Sequence, residues 1–117
     1  MGNYAEWIRT EFKKGDDLRD AGLKTPEDIV RFDDLPYGTD PLWHLLDVYR
    51  PKNAEGRKLP VIVNVHGGGF VYGTKETYQF YCMSLARKGF AVVSFNYRLA
   101  PENKFPSALE DCCKAFA

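Results

Sequence analysis

The stretch VIVNVHGGGFVYG, residues Val61–Gly73, is a run of β-branched apolar residues that ends at His66 and continues into three consecutive glycines. The continuous apolar run favours a strand buried on both faces at the centre of a sheet. Glycine loses more conformational entropy on folding than any other residue, so three in succession indicate backbone dihedrals, or a close approach, that a side chain would forbid. The stretch therefore predicts a buried strand followed by a loop that presents bare backbone.

The segments around this stretch predict an α/β fold. Aromatic and apolar residues at helical spacing predict a first helix from Tyr4 to Lys14, ended by Gly15 and Asp16. Three further apolar segments predict strands: IVRFDDLPYG (29–38), WHLLDVYRP (43–51) and FAVVSFNY (90–97). The first two form an antiparallel pair, whereas the third completes a parallel β-α-β unit with the strand before the glycines. Pro106 begins a last helix.

Length and composition favour one domain. The 117 residues are 44% hydrophobic, enough for a single core, and we expect residues 1–24 to form a helical segment and residues 25–117 the sheet, glycine loop and flanking helices. Lys and Arg number 16, as do Asp and Glu, so no net charge attracts nucleic acid or an anionic membrane. The amphipathic start of the chain is unlike a signal peptide, which favours a cytoplasmic location.

The three cysteines suit neither a disulfide framework nor a zinc site, because their number is odd and two are adjacent. We expect Cys82, Cys112 and Cys113 to be small buried residues on helices. No cofactor or metal is expected. The glycines do not fit a phosphate-binding loop either, since Tyr72 stands where the dinucleotide motif needs glycine and Thr74-Lys75 breaks the Walker pattern.

An anion that exists only during a reaction is the better match for the glycines. Acyl transfer passes through a tetrahedral oxyanion, and each backbone N–H held ready for it contributes about 3 to 4 kcal/mol of transition-state stabilisation. Glycine N–H groups that follow a strand lie at its carboxyl end, where open α/β sheets bind ligands. The stretch is thus typical of an oxyanion loop.

The motifs VHGGGFVYG (65–73) and NYRLAPENKFPSALED (96–111) together resemble the hormone-sensitive-lipase-like esterases and lipases of the α/β-hydrolase fold, whose HGGG loop is an oxyanion device. The resemblance covers Leu46 to Ala117 and implies a sheet with strand order 1-2-4-3. It implies that Gly68 and Gly69 donate to the oxyanion, that Gly67 permits the turn, and that His66 holds the loop without acting as catalytic base.

The second motif is expected to be scaffold. The resemblance implies that four of its residues fix the loop after the fourth strand beside the oxyanion loop: Tyr97, Arg98, Pro101 and Glu102. Arg98 and Glu102 are expected to form an ion pair. Asn96 stands where this family commonly has Asp, which removes a charge near the loop.

The chain lacks the sequence of a complete serine hydrolase. It has no Gly-x-Ser-x-Gly, and no histidine follows His66, while His44 is expected to be a residue of the second strand. We therefore expect the N-terminal portion of a carboxylic-ester hydrolase, inactive alone, whose first helix either caps the acyl pocket or packs on the sheet. The alternative is a non-catalytic interaction module, or one half of a split hydrolase. In either case, the exposed edge of the third strand could associate with another copy.

Overall fold

The computed structural model describes the backbone of residues 2–54, 58–68, 71–104 and 106–116, with side chains from residue 4 onward. Its helices are α1 (Gly2–Asp20), α2 (Gln79–Ala86) and α3 (Ser107–Phe116), and a short 3-10 turn spans Lys52–Ala54. Its strands are β1 (Ile29–Pro36), β2 (Leu45–Pro51), β3 (Val61–Asn64) and β4 (Ala91–Phe95). The predicted α/β order of elements is confirmed.

The four strands form one sheet in the order β1-β2-β4-β3. β2 pairs antiparallel with both β1 and β4, whereas β3 and β4 are parallel and α2 connects them. The expected 1-2-4-3 order is therefore confirmed. Because β3 and β4 run in the same direction, the segments that follow them, which include both motifs, emerge at the same end of the sheet.

Two apolar clusters fill the space between the sheet and its helices. One packs beneath α2 around Tyr49, Met83 and Val92, all fully buried. The other packs beneath α3 around Phe95 and Tyr97. Tyr97 comes directly from β4 into this second cluster, so the start of the second motif is part of the core.

The expectation that Val61–Val65 forms a central strand buried on both faces is wrong for this chain. β3 lies at the edge of the sheet, and among the described residues it pairs with β4 alone. Val61 is 61% exposed and Val65 is 48% exposed. A continuous apolar run identifies a strand suited to burial, but full burial needs neighbouring elements on both sides.

The first helix is longer than expected, because it continues through Gly15 to Asp20. Ion pairs one turn apart span this region, with Lys13 bonded to Asp17 and Lys14 to Glu11. These contacts offset the entropy cost of one glycine inside the helix. In the described part of the chain, no helix is both long and apolar enough to cross a membrane.

Replacing Gly15 with alanine is expected to stabilise the protein by about 0.5–1 kcal/mol, since alanine is the better helix former. A Cβ at this position meets nothing within 4 Å. Urea unfolding measures the difference. Gly22→Ala is the matched control: its φ of +80° disfavours any side chain, so that variant should be less stable than the wild type. A destabilised Gly15→Ala protein would contradict the helix assignment.

Candidate functional site

The loop after β3 turns at Gly68, whose φ is +132°. A Cβ at this position would lie 2.0 Å from the carbonyl oxygen of Tyr72. That oxygen is close because the Gly68 carbonyl accepts hydrogen bonds from the amides of Val71 and Tyr72, at 3.2 and 3.1 Å. Both the dihedral angle and the contact therefore require glycine here.

The other two glycines of the loop differ from Gly68. Gly67 has no left-handed φ, and a Cβ there would meet nothing within 4 Å. We expect Gly67 to permit the turn, but the residue whose backbone conformation requires glycine is Gly68. Gly69, the second expected donor, lies outside the described residues.

The Gly68 amide donates no hydrogen bond to any group in the described part of the chain. Gly67 and Gly68 also line a cavity of about 480 Å³ between the end of β3 and α3. The remaining wall of this cavity is mainly apolar and includes Val65, Ala108 and Leu109. The site therefore combines an unused backbone donor with an apolar pocket.

His66 supports this loop from beneath. Its side chain is buried, and Nδ1 lies 2.9 Å from the carbonyl oxygen of Gly67, so Nδ1 carries the proton and donates it. The imidazole stacks on the Tyr97 ring with centroids 4.2 Å apart and planes 11° apart. The Tyr97 hydroxyl donates to the His66 carbonyl oxygen at 2.5 Å. The carbonyl groups on both sides of the Gly67 Cα are thus hydrogen-bonded.

This burial makes His66 a neutral residue. Loss of solvent lowers the pKa of the imidazole, although its bond to Gly67 opposes that shift. Nε2 is buried and has no partner in the described part of the chain. A base must reach the proton that it removes, so this geometry favours a supporting role for His66.

The expected ion pair between Arg98 and Glu102 is wrong. Arg98 binds Asp111 on α3, with Nη2 2.8 Å from Oδ1. Asp111 is fully buried and also accepts from Nε2 of His44, at 2.9 Å. His44 is not a residue of β2 as expected, because β2 begins at Leu45. Its imidazole instead donates a hydrogen bond to a buried carboxylate.

Glu102 pairs with Arg9 of α1. The Arg9 guanidinium makes two bonds to that carboxylate, at 2.6 and 2.7 Å. It also donates to the carbonyl oxygens of Val71, at 2.7 Å, and Ala100, at 2.9 Å. One side chain of α1 thus joins the end of the glycine loop to the segment after β4.

Further contacts fix α1 to the same loop. Phe12 packs edge-on against the Tyr72 ring, with centroids 5.5 Å apart, and the Tyr72 hydroxyl donates to Asp16 at 2.5 Å. Arg19 donates to the Thr77 carbonyl oxygen at 2.5 Å. These side-chain contacts of α1 go to the 71–77 loop. α1 therefore covers the downstream side of the glycine loop.

A buried lysine anchors the next part of the loop. The Lys75 ammonium is 2% exposed and lies 2.9 Å from Asp47 and 2.7 Å from Asp34, with a third contact to Glu76. Burial opposes the charge, but the hydrogen bonds that the ammonium donates to these carboxylates raise the pKa of Lys75 above its usual value. The Asn96 side-chain oxygen accepts a hydrogen bond from the backbone amide of Lys75 at 2.7 Å. An uncharged side chain at position 96 therefore still binds the loop.

The serines and cysteines lie in regular structure. Ser84 and Ser94 donate to the carbonyl oxygens of Phe80 and Lys75. Cys82 is buried as expected, and burial raises its pKa to about 11, which disfavours the thiolate. Cys112 is half-buried and Cys113 is exposed, so for Cys113 the expectation of burial is wrong.

Sequence reasoning missed three charged residues that hold the site together: Arg9, Lys75 and Asp111. Each forms contacts with residues distant in sequence. On a helix or in a polar loop, such residues are usually solvated. The one available signal was the second motif, which contains Asp111.

Gly68→Ala is expected to lose about 1–3 kcal/mol of stability and to displace the loop, because both its φ and its contact with Tyr72 exclude a side chain. Gly67→Ala, one residue away, should retain nearly the full stability. Urea unfolding measures both variants. Equal losses in the two would contradict the described turn.

Comparison with known proteins identifies the family of this chain. The model of the BD-FAE family matches residues 46–117. Probable carboxylesterase 11 of Arabidopsis thaliana is 44% identical over 73 residues, which cover 56% of this chain and 16% of that protein. The family-model match includes both motifs.

Solved esterases have the same fold. Esterase B from Lactobacillus rhamnosis superposes with a TM-score of 0.85 at 29% identity, over 97% of this chain and 36% of that one. The Pyrobaculum calidifontis esterase gives 0.73 at 36% identity, over 95% and 35%. This chain thus spans about a third of these structures. The α/β-hydrolase fold and the resemblance to hormone-sensitive-lipase-like esterases are confirmed, and the chain belongs to the BD-FAE family.

Proposed function

We propose that this chain carries the oxyanion-hole part of a carboxylic-ester hydrolase of the serine type. Gly68 and Gly69 would donate their amides to the substrate oxygen as it becomes negative, and Gly67 and His66 would support the loop. The observation that carries this proposal is the Gly68 amide, which has no protein acceptor in the described part of the chain and borders an apolar cavity.

The geometry suits transition-state stabilisation. A donor stabilises an oxyanion best when it is already held in place, because no reorganisation is needed during the reaction. The Gly68 carbonyl is bonded to two amides, and the carbonyl of the preceding residue, Gly67, accepts from Nδ1 of His66. Both sides of the Gly68 amide are thus restrained before a substrate arrives.

The other parts of the reaction need groups that these 117 residues do not supply in the required form. An activated serine needs a neighbouring base, and no Gly-x-Ser-x-Gly is present. His44 is bonded through both ring nitrogens, to the Asp40 amide and to Asp111. We therefore propose that a further segment supplies the nucleophile, the triad acid and the base.

The substrate would be a small ester. The cavity beside Gly68 has mainly apolar lining and a volume of about 480 Å³, which suits a modest acyl chain. We also propose that the protein acts in the cytoplasm, with neither nucleic acid nor membrane as partner. The equal numbers of acidic and basic residues support the absence of nucleic-acid and membrane partners.

The purified 117-residue chain is expected to show no turnover of p-nitrophenyl acetate or butyrate above the buffer rate, because it holds oxyanion donors without a nucleophile. Absorbance of released nitrophenol measures the rate. A rate that disappears when one serine or cysteine is replaced by alanine would contradict the proposal, because it would place the nucleophile within this chain. The six variants to test are at Ser84, Ser94, Ser107, Cys82, Cys112 and Cys113.

The alternative function is a non-catalytic interaction module, or one half of a split hydrolase, that associates through the β3 edge. The exposure of Val61 and Val65 favours this second candidate. Two cavities also reach this edge. Val65 lines the cavity of about 480 Å³, and Asn64 lines a second cavity of about 450 Å³. Light scattering separates the two ideas: concentration-dependent assembly supports pairing between copies, whereas a strict monomer argues against it.

A further inference from the structure

Asp111 uses both carboxylate oxygens although it is fully buried. Oδ1 accepts from His44 Nε2 at 2.9 Å and from Arg98 Nη2 at 2.8 Å. Oδ2 accepts from the backbone amide of Arg98 at 2.8 Å. Burial would raise the pKa of this carboxyl, but the bonds from Arg98 and His44 keep it below its usual value. Asp111 is therefore a buried anion with a complete set of donors.

Stability alone does not explain this arrangement. A buried ion pair loses much of its Coulombic gain to desolvation, and a well-packed apolar group of similar size often serves as well. A carboxylate with directional bonds instead fixes the conformation of the groups that it binds. Here, these groups include the backbone at Arg98, the residue after Tyr97.

We propose that Asp111 is a positioning residue for the glycine loop, and that it acts through Arg98, Tyr97 and His66. This inference rests on the proposed function, because it concerns the placement of the oxyanion donors. By holding the amide of Arg98, Asp111 sets the direction of the neighbouring Tyr97 side chain. Tyr97 in turn contacts His66 by stacking and by its hydroxyl. The imidazole of His66 completes the path at the Gly67 carbonyl.

His44 also binds the Asp111 carboxylate. Its Nδ1 accepts the Asp40 amide at 3.1 Å, so Nε2 carries the proton that Asp111 accepts. Gly38 leaves the space for this ring, because a Cβ there would lie 2.4 Å from Nδ1. Because both ring nitrogens of His44 are hydrogen-bonded, neither can accept a proton from a nucleophile. Its role is to hold the carboxylate in place.

The test uses the full 117-residue chain and the proton NMR spectrum of His66. In the wild type, stacking on Tyr97 shifts the His66 ring protons upfield. Asp111→Asn removes the charge and should weaken the bonds to Arg98, so the ring protons should lose that shift and the Gly67 and Gly68 amide resonances should move. Glu110→Gln is the matched control: Glu110 is exposed, lies 3.7 Å from Arg98, and should leave these resonances unchanged.

Circular dichroism confirms that each variant is folded before its spectrum is compared. If Asp111→Asn does not fold, Asp111→Glu gives the same readout, because it keeps the charge but moves the carboxylate by one methylene group relative to the Arg98 amide. Unchanged His66 ring protons in either folded variant would overturn the proposal. The readout does not depend on ester hydrolysis. Failure of the proposed function would therefore leave this coupling measurable, and failure of the coupling would leave the oxyanion proposal to be tested separately.

Discussion

The stacked pair of His66 and Tyr97 is the contact on which the arrangement of the site depends. It joins the second residue after β3 to the second residue after β4, at the end of the sheet where both parallel strands finish. The Tyr97 hydroxyl and the His66 imidazole then bond to successive carbonyl groups, those of His66 and Gly67. The loop can turn at Gly68 because the backbone before it is already fixed. A parallel β-α-β unit is what brings the two motifs together.

Paired charges stabilise the loops around the His66–Tyr97 contact. The chain has 16 basic and 16 acidic residues, and several of them are paired over long sequence distances. Lys75 is enclosed by carboxylates from β1, β2 and its own loop, whereas Arg9 joins α1 to the loop after β3 and to the segment after β4. Buried or half-buried charges of this kind are costly unless every one has a partner. They therefore specify where each loop lies.

Much of the fold was predictable from the sequence because local patterns determined it. Apolar runs and turn residues gave the strands, and the two motifs gave the strand order and the loop. The errors came from contacts that local patterns do not contain. Gly15 predicts the end of a helix, but α1 continues to Asp20, and an ion pair between Lys13 and Asp17 spans the glycine. Arg98 was paired with a residue near in sequence, whereas the fold brings Asp111 to it.

The sequence predicts an oxyanion loop, which stays a prediction, and it does not determine the conformation of that loop. Three consecutive glycines indicate a bare loop, but not which glycine takes the left-handed conformation, because that depends on where Tyr72 folds back. The role of α1 was open for a similar reason: its partners are loop carbonyls and Glu102, which no helical periodicity indicates. Tertiary hydrogen bonds determine both features.

The central claim is that the Gly68 amide is held ready for a negatively charged oxygen. The most direct measurement is a titration of the ¹⁵N-labelled chain with a monoanionic methylphosphonate ester, a tetrahedral anion, followed by proton–nitrogen spectra. We predict that the Gly68 amide proton moves downfield and saturates, while amides already bonded within β4 do not respond. A Gly68 resonance that stays in place as the anion is added would contradict it.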